Sequence, residues 1–161
     1  MRHGKAEQFA ASDHERRLTE RGVADATEAG RWVRAHDKLP DHALVSSAQR
    51  TLGTWAAFAD GAGCDLEPVV DRALYSAGTD AALEILRTVP ADAARVIVIG
   101  HNPTMAYLVH LLDDGGADPE VFAEVSAGYP TSALAVLEVE SPWDQLDVAG
   151  ARIAAFHVGR G

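Results

Sequence analysis

Three separated segments of the sequence carry histidine and arginine side chains that could act on a phosphate group. The chain opens with MRHGKAE, in which Arg2 and His3 precede Gly4. Arg50 and His101 each follow an apolar stretch further along. The N–H donors of an arginine guanidinium group match the geometry of phosphate oxygens, and the group stays charged. One histidine can attack phosphorus as a nucleophile, and a second, when protonated, can stabilise charge on the transferring phosphoryl group. This pattern favours phosphoryl chemistry, provided that the side chains converge.

The elements that would bring them together are strands alternating with helices. The predicted helices lie at 19–36, 49–60, 79–89 and 103–113. The predicted strands lie at 42–47, within 67–75, and at 95–100, 132–140 and 151–158. The continuous apolar run in RVIVIG (95–100) is typical of a central parallel strand that is buried on both faces. We therefore predict an α/β fold, a three-layer sandwich with a mostly parallel central sheet and helices on both faces.

Open sheets of this kind bind ligands outside the carboxyl ends of their parallel strands. Arg50 falls in the first turn of the helix after HALVSS, and His101 follows RVIVIG directly. With Asn102 as N-cap and Pro103 at the first helical position, the next helix would begin beside His101 and offer unpaired N–H groups to an anion. Arg2 and His3 lie in a turn into the first helical region. No glycine-rich phosphate loop is present, so side chains would hold the phosphate.

Composition limits the class of protein and its partners. A chain of 161 residues suits one domain spanning 1–161. A net charge of -10 disfavours binding to nucleic acid and to anionic membranes. The single cysteine, Cys64, forms no intrachain disulfide, and no signal peptide or membrane span is visible, so we expect a cytoplasmic protein. No pair of histidines has the i, i+4 spacing of a helical metal site, so we expect no metal.

Five motifs, taken in order, make the sequence resemble the histidine phosphatase superfamily and, within it, the small SixA-type phosphohistidine phosphatases. The motifs are RHGKAE, SDHERRLTERG, VSSAQRT, IGHNPT and YPTSALAVLEV. The resemblance implies a phosphoglycerate-mutase-like fold without a large cap, and no cofactor. It implies that His3 is the nucleophile, that Arg2, Arg50 and His101 form the rest of the phosphate pocket, and that Arg16 is a further pocket arginine. A phosphorylated protein or a small phosphorylated molecule would be the substrate, and the oligomeric state stays open.

The sequence departs from this family in two places. Family members carry an apolar strand directly before their Arg-His-Gly, whereas this sequence begins at Met1, so we expect the first strand to be missing. Many members also carry a carboxylic acid after the third strand that protonates the leaving oxygen, and Ala73 stands at that position here. We expect structural or solvent-facing roles for the neighbouring Asp71 and Asp80. His14, in the loop after the Arg-His-Gly turn, is expected to be exposed.

The sequence leaves three functions open, and the absence of a carboxylic acid at position 73 bears on the choice between them. An alkoxide leaving group needs a proton in the transition state, whereas a phosphohistidine imidazole can take its proton from solvent. The absence of an acid therefore favours a phosphatase that forms a covalent phosphohistidine and dephosphorylates phosphohistidine on a protein partner. The alternatives are a phosphatase for small phosphomonoesters and a non-catalytic module that binds a phosphorylated ligand. Ala73 is the feature that supports the last of these.

Overall fold

The computed structural model describes all of residues 1–161 and contains five strands and five α-helices. The helices are α1 (Glu20–Ala35), α2 (Gln49–Ala62), α3 (Thr79–Arg87), α4 (Thr104–Leu112) and α5 (Pro119–Ala127). The strands are β1 (His42–Ser46), β2 (Val69–Asp71), β3 (Val96–Ile99), β4 (Ala133–Val139) and β5 (Ala151–Val158). Three short 3-10 helices lie at Asp13–Glu15, Ala73–Tyr75 and Trp143–Gln145. None of the helices combines the length and the apolar character needed to cross a membrane.

The sheet has a parallel part and an antiparallel part. The order β2-β1-β3 is parallel throughout, with Leu44 opposite Val69 and Val98. Strands β4 and β5 form an antiparallel pair with a register shift after Val136. The predicted α/β class with a mostly parallel central sheet is confirmed, and the last two strands form a separate antiparallel pair.

Helices cover both faces of this sheet because its strands are apolar on both sides. On β1, Ala43 and Val45 pack into one core with α1 and α2, whereas Leu44 points into the other core with α3, α4 and α5. The strand β3 alternates in the same way, since Ile97 and Ile99 face α1 and α2. Alternate residues of a strand point to opposite faces, so the continuous apolar runs produce the three predicted layers.

Helix α1 begins where the sequence indicates and packs closely on α2. Thr19 is the N-cap, and its side chain accepts a hydrogen bond from the Gly22 N–H at 3.1 Å. A Cβ on Gly30 would overlap the carbonyl oxygen of Phe58, so this position lets the two helix backbones approach. Helix α5 has no counterpart among the predicted elements. It begins at Pro119 after an Asp118 cap, which is a common helix start.

The first three residues join the two parts of the sheet. Met1 donates from its amino group to the Val98 carbonyl at 2.7 Å, and its own carbonyl accepts from the Gly100 N–H. On the other side, the Arg2 N–H donates to the Ala133 carbonyl at 2.9 Å. Residues 1–3 thus lie between the carboxyl end of β3 and the start of β4, in line with a strand position.

Beyond residues 1–3, no backbone hydrogen bonds pair the facing edges of β3 and β4. A largely apolar cavity of about 460 Å³ lies in this region. Its lining includes Met1, Val96, Val98, Leu134 and Val136. An apolar strand added ahead of Met1 would pair with both edges and fill this space.

We expect an extension of six apolar, β-branched residues ahead of Met1 to raise the melting temperature. Paired backbone groups and buried side chains would replace an open apolar edge. A gain of about 1–2 kcal/mol corresponds to roughly 4 °C for a chain of this size. Differential scanning calorimetry measures the change, with a six-residue Gly/Ser extension as the control. Equal melting temperatures for the two extended chains would contradict the prediction.

Candidate active site

The carboxyl ends of β1 and β3, together with residues 2–4, form one polar pocket. His3 is held by its backbone, because its N–H donates to the Gly100 carbonyl and its carbonyl accepts from the Ser132 N–H. The Gly4 N–H donates to the Thr54 hydroxyl at 2.9 Å, and that hydroxyl donates to the Arg50 carbonyl at 2.6 Å. A buried threonine therefore ties the turn after His3 to the helix that carries Arg50.

The His3 ring is neutral, and one of its nitrogens has a free lone pair, as a nucleophile requires. Its Nδ1 lies 2.7 Å from the Gly4 carbonyl oxygen. Because a carbonyl only accepts hydrogen bonds, Nδ1 carries the proton and Nε2 keeps a free lone pair. Burial, together with the positive charges of Arg50, Arg2 and Arg16, lowers the pKa of His3 to about 4 against the raising effect of the Gly4 hydrogen bond. The imidazole is thus neutral at pH 7.

His101 lies beside His3, although 98 residues separate them in sequence. The centroids of the two rings are 5.3 Å apart. The Nε2 of His101 lies 2.7 Å from the hydroxyl of the fully buried Ser46, and its Nδ1 is buried without a hydrogen-bond partner. Burial lowers the pKa of His101 to about 3, with further contributions from Arg50 and His3. The second histidine is therefore also neutral at pH 7.

Arg2 and Arg50 carry buried donors that no protein group satisfies. Arg2 donates from Nη1 to the Tyr129 carbonyl at 2.9 Å, and Arg50 donates from Nη1 to the Asp13 carbonyl at 2.7 Å. The Nε atoms of both arginines are buried without a partner. Leaving a buried charged donor unpaired costs free energy. These two N–H groups and the His101 ring are accordingly suited to an anion such as a phosphoryl group.

Arg16 extends the positive charge of the pocket along the loop before α1. Its Nε donates to the Glu7 carbonyl at 2.6 Å, and its Nη1 donates to the Asp13 carboxylate at 2.9 Å. The charge of Arg16 contributes to lowering the pKa of His3. The structure thus brings Arg2, His3, Arg50 and His101 together, with Arg16 at the edge of the group.

Asp13 is a pocket residue that the sequence analysis did not select. Its carboxylate accepts hydrogen bonds from Arg16, from the Arg50 Nη2 at 3.1 Å and from the Tyr75 hydroxyl at 2.8 Å. The hydrogen bonds from Arg16 and Tyr75 and the charge of Arg50 hold the pKa of Asp13 far below its usual range. The carboxylate is thus ionised at neutral pH and is not a proton donor. Its spacing of three residues before Arg16 was the available sequence signal.

Two aromatic rings form a wall next to His101. The Tyr75 ring lies edge-on to His101 with centroids 5.6 Å apart, and the His14 ring lies 4.9 Å from Tyr75. The Nε2 of His14 lies 3.0 Å from the Ser47 hydroxyl. The expectation that His14 is exposed is therefore wrong: it is half-buried, because the short helix Asp13–Glu15 folds back over the start of α2.

Two further expectations concern residues beside the pocket. Asn102 does not cap α4, which begins at Thr104; its side chain instead donates to the Tyr129 carbonyl at 2.9 Å, the same oxygen that accepts from Arg2. The Asp71 carboxylate accepts from the Ala73 N–H at 2.6 Å and so has the expected structural role. No carboxylate replaces the missing acid at Ala73 itself.

Comparisons with known proteins agree with this geometry. Residues 1–76 match the profile of the histidine phosphatase superfamily (branch 1). The uncharacterized protein Rv1276c of Mycobacterium tuberculosis is 34% identical over 162 residues, which cover 99% of this chain and 100% of the relative.

Two solved structures are also similar to this chain. The SixA protein from Nakamurella multipartitia has 34% identity and a TM-score of 0.86, and the match covers 99% of this chain and 93% of that one. The protein histidine phosphatase SixA complexed with tungstate has 25% identity and a TM-score of 0.79, covering 98% and 94%.

The chain belongs to the histidine phosphatase superfamily. Within that superfamily it is of the SixA type, with the phosphoglycerate-mutase-like fold. Family and neighbours together support a phosphatase that acts on a phosphorylated substrate.

We expect histidine-ring 15N spectra to show His3 and His101 neutral at pH 5.5, where a free imidazole (pKa about 6.5) is mostly protonated. Replacing Arg50→Gln removes a positive charge that lowers both pKa values, so both should rise. Arg31→Gln, an exposed arginine on α1, is the matched control and should change neither. Because the His3 ring is protonated below its pKa, we expect it to lose the free lone pair on Nε2 as the pH falls through about 4. Titration of both rings near 6.5 would contradict this prediction.

Proposed function

We propose that this protein is a phosphatase that forms a covalent phosphohistidine on His3 and that it removes phosphate from phosphohistidine on a protein partner. One observation supports this most directly. A neutral His3 with a free Nε2 lies beside buried N–H groups of Arg2 and Arg50, and beside a buried ring nitrogen of His101, that have no partner in the protein. A nucleophile next to unsatisfied cationic donors suits phosphoryl transfer better than it suits a structural role.

The proposed reaction has two displacements at phosphorus. The Nε2 of His3 attacks, a new P–N bond forms, and the bond from phosphorus to the leaving group breaks. Arg2, Arg16 and Arg50 neutralise the phosphoryl oxygens, and His101 stabilises the developing charge. The hydrogen bond from Nδ1 to the Gly4 carbonyl stabilises the positive charge that the His3 ring gains when it is phosphorylated. Water then attacks phospho-His3, which releases inorganic phosphate and restores the neutral imidazole.

We infer the leaving group from the side chains that are available to donate a proton to it. Ala73 supplies no acid, and Asp13 stays ionised because of Arg16, Tyr75 and Arg50. An alkoxide would leave this pocket without a carboxylic acid to protonate it, whereas a departing imidazole can take its proton from solvent. The relatives named SixA, one of them a protein histidine phosphatase, support the same substrate class.

The test is a rapid-quench experiment with a 32P-phosphohistidine peptide. We expect an acid-labile phosphoenzyme to form and decay in the wild-type protein. His3→Ala should give no phosphoenzyme and should lower turnover at least about 1,000-fold, since it removes the nucleophile. His110→Ala, an exposed histidine on α4, is the matched control and should behave like wild type.

Two outcomes would contradict the proposal. A phosphoenzyme formed faster from p-nitrophenyl phosphate or sugar phosphates than from the peptide would indicate a phosphatase for small phosphomonoesters. Phosphopeptide binding without any phosphoenzyme, and without an effect of His3→Ala on signal loss, would indicate a binding module.

A further inference from the structure

The carboxylate of Asp13 lies between two arginines that come from different parts of the chain. One carboxylate oxygen accepts from Arg16 at 2.9 Å, and the other accepts from Arg50 at 3.1 Å. The Asp13 backbone carbonyl accepts a second hydrogen bond from Arg50 at 2.7 Å. The Tyr75 hydroxyl donates to the carboxylate from a third direction. A single acid therefore connects the loop before α1, the start of α2 and the short helix Ala73–Tyr75.

We propose that Asp13 is a positioning residue of the phosphate pocket, whose carboxylate fixes the guanidinium groups of Arg16 and Arg50 before the substrate binds. Asp13 acts through these two arginines. The inference rests on the proposed function only in so far as the pocket binds a phosphoryl group.

The donors that each arginine uses support this role. Arg50 directs Nη1 and Nη2 at Asp13, and its Nε stays buried without a partner. Arg16 directs Nε at Glu7 and Nη1 at Asp13, which leaves Nη2 outside these contacts. Asp13 thus engages part of each guanidinium group and leaves other N–H groups for an anion. A carboxylate that merely occupied the anion site would be expected to meet the buried Nε of Arg50.

The energetic reason lies in the flexibility of arginine. A free arginine side chain has considerable rotamer entropy, which is lost when a ligand orders it. A partner that orders the side chain in the free protein removes that cost from the binding step. Arg50 is almost fully buried, but Arg16 is about 30% exposed and depends more on such a partner. The hydroxyl of Tyr75 in turn keeps the Asp13 carboxylate, which is half exposed, in place.

Isothermal titration calorimetry with inorganic phosphate tests the proposal without requiring turnover. Asp13→Asn keeps the shape of the side chain and removes its charge, and we expect it to weaken phosphate binding about tenfold. Glu15→Gln is the matched control, because it removes an exposed negative charge two residues away that has no ion-pair partner, and its effect should stay below twofold. Circular dichroism and the melting temperature report whether each variant is folded.

A second measurement separates positioning from general stability. Relaxation of the arginine Nε–Hε groups should show that Arg16 and Arg50 become more mobile in Asp13→Asn at an unchanged melting temperature. In an Arg16→Ala background, Asp13→Asn should weaken phosphate binding by a smaller factor than in wild type, because one of its two arginine partners is gone. Should Asp13→Asn not fold, Tyr75→Phe removes one hydrogen bond from the carboxylate and should still weaken phosphate binding.

Three results would overturn the proposal. Phosphate binding in Asp13→Asn that equals or exceeds that of wild type would show that the carboxylate competes with the anion. Fully multiplicative effects of Asp13→Asn and Arg16→Ala would show that Asp13 does not act through Arg16. Absence of phosphate binding by the wild-type protein would overturn the proposed function together with this inference, and that outcome is distinct from the first two.

Discussion

The backbone pairing of residues 1–3 is the constraint on which the rest of this structure depends. These residues hydrogen-bond to β3 through Val98 and Gly100 and to the start of β4 through Ala133. The pairing joins the two parts of the sheet, and it also places the imidazole of His3 at the carboxyl end of the parallel strands. Because Gly4 is also hydrogen-bonded to Thr54 on α2, both the sheet and a helix fix the position of His3.

The second constraint is electrostatic, and it follows from burial. Buried next to arginines, the imidazoles of His3 and His101 lose their protons, since burial and neighbouring positive charges both disfavour the charged ring. The arginines that would neutralise a phosphoryl group are thus the same groups that help to keep His3, the proposed nucleophile, neutral. An entering dianion reverses the local charge and favours a protonated His101, so that a ring that is neutral in the free protein can become a donor when substrate binds.

The parts of the fold that the sequence predicted are those specified by local patterns. Alternation of apolar strands and helices predicted nine of the ten elements, and the continuous run at 95–100 indicated the buried strand β3. Helix α5 was missed because its segment was read as a turn, although Asp118 and Pro119 form a recognisable start. The prediction that Asn102 caps α4 was wrong. Its side chain binds the Tyr129 carbonyl, which lies 27 residues away and which no local pattern indicates.

In the pocket too, local sequence patterns predicted some residues, whereas contacts between distant segments determine the others. Residues that come shortly after a parallel strand, such as His101 and Arg50, can be placed from the rule on carboxyl ends. Asp13, His14 and Tyr75 could not be placed in this way, because their contacts depend on how a loop folds over α2. Their chemistry nevertheless bears on the substrate. A carboxylate that accepts from two arginines and a tyrosine is held in its ionised form, so the acid nearest to the phosphate pocket stabilises cations and does not protonate a leaving group. In the proposed reaction the pocket offers the leaving group no carboxylic acid, which suits a substrate whose bond to phosphorus is already weak, as the P–N bond of phosphohistidine is.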